Sequence, residues 1–206
     1  ALRSAIDQEN NNKTKLLLTM MGYIEPGYFQ LAYDVTEIGK LVDYVFVMAY
    51  HLSSNRFASF NGPLFPSTNP NLSPQANVNY TVHIWNHEGC PLEKMVLGVS
   101  ALGNFVKLVS PQTHFEPGAP ITNDVLRGDI YLIDGAMAFP EVCRRYATGR
   151  KYYDNIQKNP YMVQNYEWIG YEDTVSLGEK ITYIRYMGLA GIMFNNIDED
   201  DFNGSV

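Results

Sequence analysis

Cysteine is scarce in this chain: Cys90 and Cys143 are the two present in 206 residues. Two cannot define a disulfide framework, and whether they pair is open. Basic residues are also few, with 15 Lys and Arg against 22 Asp and Glu and a formal net charge of −7. A nucleic-acid partner needs a basic face, so none is expected. No apolar stretch approaches the roughly 20 residues of a membrane span, so no membrane partner is expected either. Internal repeats and low-complexity tracts are missing. The opening ALRSAIDQEN has no apolar core of a secretory signal. It reads as the end of an amphipathic helix, and the chain is expected to begin inside a domain.

Hydrophobic residues make up 46% and charged residues 18%, the balance of a globular chain. Aromatics reach 13%, with 15 Tyr and 10 Phe, enough to build a core or a surface on which sugar rings stack. Four N-x-[ST] tripeptides, at Asn12, Asn71, Asn79 and Asn203, lean toward a secreted glycoprotein. Pro74 weakens Asn71, and Asn203 lies near the chain end, which leaves Asn12 and Asn79 as the expected acceptors.

Short apolar runs recur at Lys15–Met21, Tyr44–Tyr50, Met95–Ser100 and Ile192–Ile197. Apolar on both faces, they predict buried parallel strands in one sheet. Helical spacing lies between them. Val35, Ile38, Leu41 and Val42 form one stripe, Val78, Val82 and Trp85 a second, and Ile181, Ile184 and Met187 a third. The alternation argues for βα units. Between Lys107 and Ser176 the rhythm breaks. A structureless loop of that size does not suit a compact domain, so this stretch reads as a small inserted α+β module, with Trp168 in its core.

Four segments resemble the family-18 glycoside hydrolases, the chitinases and chitinase-like lectins. LVDYVFVMAYHL is similar to the family's sixth-strand DxxxxMxYD, and KMVLGVSALGNF to its seventh-strand KxxxGxPxYGR. FPEVC with NPYMVQNYEWIGYED resembles the inserted module, and GLAGIMFNNIDEDDFNG the eighth strand, GGxMxWxxDxDDFxG. The order and spacing match along nearly the whole chain. The resemblance implies an α/β fold: the C-terminal half, strands 5–8, of a (β/α)8 TIM barrel with a small inserted α+β module. Residues 1–107 and 176–206 would form the half-barrel and 108–175 the module. A complete barrel needs about 250 residues. The family's DxxDxDxE signature, whose glutamate is the catalytic acid, does not occur in the chain. An N-terminal half of the same protein is therefore an expected partner, since open strand edges invite association.

These hydrolases use the substrate's own N-acetyl oxygen as nucleophile. The protein must supply an acid for the leaving oxygen, polar groups that hold the acetamido group, and an aromatic floor. By resemblance, Tyr50 is the tyrosine that bonds the acetamido carbonyl, and Met48 also matches. His51 stands where the family has Asp, and a neutral His brings no fixed negative charge. Leu102 and Asn104 replace the usual Tyr and Arg, and Asn195 replaces the Trp of the sugar-stacking floor. Neighbouring Phe194 points to the opposite face of its strand and cannot take over. Cys143 matches a cysteine that pairs, in relatives, with one just beyond the DDFxG stretch.

His83 and His87 have metal-ligand spacing on a helix, but no third ligand accompanies them, so a solvated face is expected and no metal. No cofactor is expected. Met48, Tyr50, His51, Asn104 and Asn195 would line a site for chitin, chito-oligosaccharide or another N-acetylglucosamine-containing glycan. The expected function is secreted, chitinase-like binding without catalysis. The alternative is an active chitinase whose acid glutamate lies in the N-terminal half.

Overall fold

The structure is a computed structural model that describes residues 1–9, 16–23, 29–145 and 148–201. In chain order its elements are α1 (Leu2–Glu9), β1 (Thr19–Tyr23), α2 (Phe29–Ala32), α3 (Val35–Leu41), β2 (Tyr44–Met48), α4 (Val78–His87), β3 (Met95–Ser100), β4 (Leu102–Lys107) and β5 (Ala136–Ala138). There follow α5 (Phe139–Arg145), β6 (Arg150–Asp154), β7 (Asn159–Gln164), β8 (Glu167–Gly170), α6 (Thr174–Met187) and β9 (Gly191–Asn195).

β1, β2, β3 and β9 form one sheet in that order, every pairing parallel. All four apolar runs read from the sequence are in it, with shifted ends. The first strand starts at Thr19, and Lys15 lies outside the described residues. The second ends at Met48, because the amide of Ala49 turns back to the carbonyl of Val47 and His51 adopts a left-handed φ of 60°.

One face of this sheet is the main core. Val45, Val47, Leu97 and Val99 alternate onto it and meet Val35, Val78, Val82, Trp85, Tyr183 and Ile184 from α3, α4 and α6. The helices begin where their caps put them. Asn77 accepts from the Tyr80 amide at 2.8 Å, and Asp173 with Ser176 closes a capping box. α6 ends at Gly188, whose φ of 71° favours glycine. Phe46, Met48, Val96 and Met193 fall on the sheet's other face and are half-buried.

The second sheet is antiparallel, in the order β5-β4-β8-β7-β6. It corrects the expected module boundary. Leu102–Lys107 pairs with β5 and β8, so the chain changes sheets at Ala101 rather than at residue 108. A strand that leaves one sheet and enters another without a turn shows no break in its apolar pattern, which is why the sequence hid the switch. Trp168 is fully buried here, 5.6 Å from the ring of Tyr161, which stacks on Tyr152.

Candidate functional site

The C-terminal ends of the parallel strands bring Tyr50 and Asn195 together across β3. Tyr50 is 2% exposed, and Asn195 Nδ2 donates to its hydroxyl at 2.7 Å. Gly98 of the intervening strand makes this possible. A Cβ there would stand 2.9 Å from the carbonyl of Val47 and 3.0 Å from the Tyr50 ring. Burial raises the Tyr50 pKa above the usual 10, and nearby Glu199 adds to the rise against the Asn195 bond, so the group stays an O–H donor.

His51 follows with an exposed imidazole, its ring centroid 5.1 Å from that of Tyr50. Asn61 fixes its backbone: Oδ1 accepts from the His51 amide at 2.8 Å, while Nδ2 donates to the carbonyl of Leu102 at 2.9 Å. One side chain thus ties the end of β2 to the start of β4. Asn104 Nδ2 makes a parallel tie to the carbonyl of Ser59 at 2.7 Å.

Between the strand ends and the module lies an open cleft of about 640 Å³. His51 and Asn61 line its barrel side, and the module contributes Asn104 of β4 with Thr122, Asp124 and Asp134. Both carboxylates are held below the usual carboxylate range. For Asp124 the first cause is the hydrogen bond from Lys107, and for Asp134 the bond from Arg127. The expected constellation is therefore divided. His51 and Asn104 face the cleft, whereas Tyr50 and Asn195 pair with each other beside it and Met48 sits half-buried in β2.

Behind Tyr50 is a small void of about 10 Å³, bordered by Tyr50, Asn61, Ser100, Glu172 and Lys180. Lys180 of α6 is 1% exposed and bonds Glu172, which follows β8. Burial lowers the Lys180 pKa from its usual 10.5, opposed by the charge of Glu172. Asn61, Glu172 and Lys180 went unread in the sequence. Asn61 sits in a plain Asn-Gly-Pro turn, and a lone Lys on a helix gives no sign of burial.

The family model for glycosyl hydrolases family 18 matches residues 1–200. The chain belongs to this family. It is 29% identical to mouse chitotriosidase-1 over 202 residues, covering 97% of this chain and 43% of that protein. It is 30% identical to human chitinase-3-like protein 2 over 207 residues, covering 96% and 52%. Among solved structures, YKL-39 with chitooligosaccharides superposes with a TM-score of 0.89 at 27% identity, over 98% of this chain and 57% of that one. A Group IV chitinase of Ostrinia furnacalis gives 0.88 at 31% identity, over 99% and 56%. The chain thus spans about half the length of the relatives it matches.

Within the family-18 frame, the four parallel strands belong to the TIM barrel and the antiparallel sheet is the inserted α+β module. His83 and His87 are exposed on α4, and the described residues hold no group of three or more potential metal ligands. No described helix is long and apolar enough to cross a membrane. Cys90 is buried and Cys143 half-buried, both as free thiols whose pKa burial pushes up to about 11. Asn12 lies outside the described residues. Asn79 sits in the first turn of α4, where its Oδ1 accepts from the Tyr183 hydroxyl at 3.1 Å.

Proposed function

We propose that this chain belongs to a secreted chitinase-like glycoprotein that holds chito-oligosaccharide, or another N-acetylglucosamine-containing glycan, in the cleft without cleaving it. The observation that carries this reading is the Asn195–Tyr50 pair: Asn195 presents an amide where the resemblance expects an aromatic floor, and that amide bonds the Tyr50 hydroxyl. His51 replaces a carboxylate that would balance the developing positive charge.

Binding tolerates these changes better than catalysis does. Hydroxyl and amide groups suffice to recognise a neutral sugar, and Ser53, Ser54, Asn55, Asn61, Asn104, Thr122 and Asn123 surround the cleft. One relative's description supports the reading: human YKL-39 is a pseudo-chitinase with retained chitooligosaccharide binding properties. The test is a fluorogenic chitobioside assay beside a chitin pull-down, both on protein purified from its source. Retention on chitin with negligible turnover is the expected result. Turnover at the rate of an active family member would overturn the reading in favour of a working chitinase whose acid lies outside this chain.

A further inference from the structure

We propose that Lys180 is a positioning residue for the cleft: with Glu172 it forms a buried ionic pin that locks the inserted module against Tyr50, just past the end of β2, and Asn61 of the loop that follows. The inference rests on the cleft being the glycan site.

The pin joins two parts of the fold. Lys180 lies on α6, which packs on the parallel sheet through Tyr183 and Ile184, whereas Glu172 is delivered by β8 of the module. Lys180 is 1% exposed and Glu172 9%. The carboxylate oxygen that meets the ammonium also accepts from Asn159 Nδ2 of β7 at 2.8 Å, so two module strands converge on one lysine. The other oxygen, Oε2, is buried without a hydrogen-bond partner in the structure. Tyr50 and Asn61 border the same small void as the pair. A shift of the pin therefore presses on the Tyr50 side chain, and through it on its bond from Asn195, and on the amide that holds His51 and Leu102.

Stability alone does not account for such a pair. Removing two charges from water costs more than a well-packed apolar pair would, and replacing both partners by apolar residues is often neutral or stabilising. An ionic pair does add position, because an ammonium must meet its carboxylate within a narrow range of distance and direction, whereas apolar side chains can slide. The cleft's width is set by how the module seats on the barrel. Besides the pin, the side-chain ties across that seat include Lys158 to Glu179 of α6, a partly exposed ion pair, and Asn61 to Leu102 and Asn104 to Ser59 at its edge.

Three variants of the full chain separate positioning from mere structure. Lys180→Met removes the cation, Lys180→Met with Glu172→Met replaces both charges, and Glu172→Asp keeps the charge but shortens its reach. Each is read by thermal unfolding, by the NMR signals of the Asn61 and Asn195 side-chain amides, and by the dissociation constant for N-acetylchitotetraose. Lys180→Met should unfold at a lower temperature, since it leaves Glu172 buried and unpaired. The double variant should recover the melting temperature, yet keep both amide signals displaced and bind the tetrasaccharide at least tenfold more weakly than wild type. Glu172→Asp, the mildest change, should move the amide signals while the chain stays folded. If the double variant restores amide signals and affinity along with stability, or if Glu172→Asp leaves the signals unmoved, the pin has no positioning role. Should wild-type chain bind no tetrasaccharide, the glycan reading fails separately, and the amide signals alone decide this proposal.

Discussion

Removing one oxygen tests the Tyr50–Asn195 pair beside the cleft. Tyr50→Phe deletes the acceptor of the 2.7 Å bond from Asn195 and leaves a ring of nearly the same volume. A net hydrogen bond contributes about 0.5–1.5 kcal/mol to folding. Tyr50 is 2% exposed, but Asn195 is half-exposed and its freed amide can bond water, which places the expected loss near the middle of that range. About 1 kcal/mol lowers the melting temperature of a chain of this size by roughly 2–4 °C. A double-mutant cycle with Asn195→Ala isolates the pair, with an expected coupling of about 1 kcal/mol. Binding carries a second, separate reading. Because the Tyr50 oxygen already accepts from Asn195, its own proton is left to donate toward a ligand carbonyl. Losing that donor should weaken N-acetylchitotetraose by about 1 kcal/mol, roughly fivefold in dissociation constant. Calorimetric titration of Tyr50→Phe, Asn195→Ala and the double variant gives the numbers. A coupling of zero together with wild-type affinity in Tyr50→Phe would refute the placement of this hydroxyl in the site.

Trp168→Ala should destabilise by about 3–5 kcal/mol, because the ring is fully buried against Tyr161 and Phe60. A chemical-denaturation loss below about 1 kcal/mol would mean that the aromatic stack is not the module's core. Burial pushes Tyr153, Tyr161 and Tyr183 up to about 12, against about 10 in an unfolded chain. Their protonated forms are favoured by folding, so that contribution is complete below about pH 10 and is lost as the pH rises toward 12. Tyrosinate absorbance followed alongside unfolding should show these groups titrating late, and an ordinary midpoint for all tyrosines would contradict it. Cys143 should react with a disulfide reagent before Cys90 in the folded chain, since Cys90 is fully buried and Cys143 only partly so. Equal rates under native conditions would show that Cys90 is not enclosed.

The parallel strands and the helices packed on them were legible because each carries a local signal. Tyr44–Met48 and Met95–Ser100 are apolar on both faces, and α4 and α6 repeat apolar residues at helical spacing. The module was legible as a break in that rhythm, but the strand β4 at its entry was not read. Its pairing with β5 and β8 depends on hydrogen bonds to residues roughly thirty and sixty positions away, which no local pattern encodes.

The candidate site divides along the same line. The sequence by itself determined the family resemblance, the positions Tyr50, His51, Asn104 and Asn195, and the amide and imidazole chemistry available there. Only the tertiary structure decided what those groups do. Asn195 turns onto Tyr50, Asn104 holds the carbonyl of Ser59, His51 alone presents an open ring, and Lys180 is enclosed against Glu172. A side chain's identity fixes which hydrogen bonds it can make. Which partner it meets, and whether water competes, follows from strands and helices distant in sequence that the fold brings within a few ångströms.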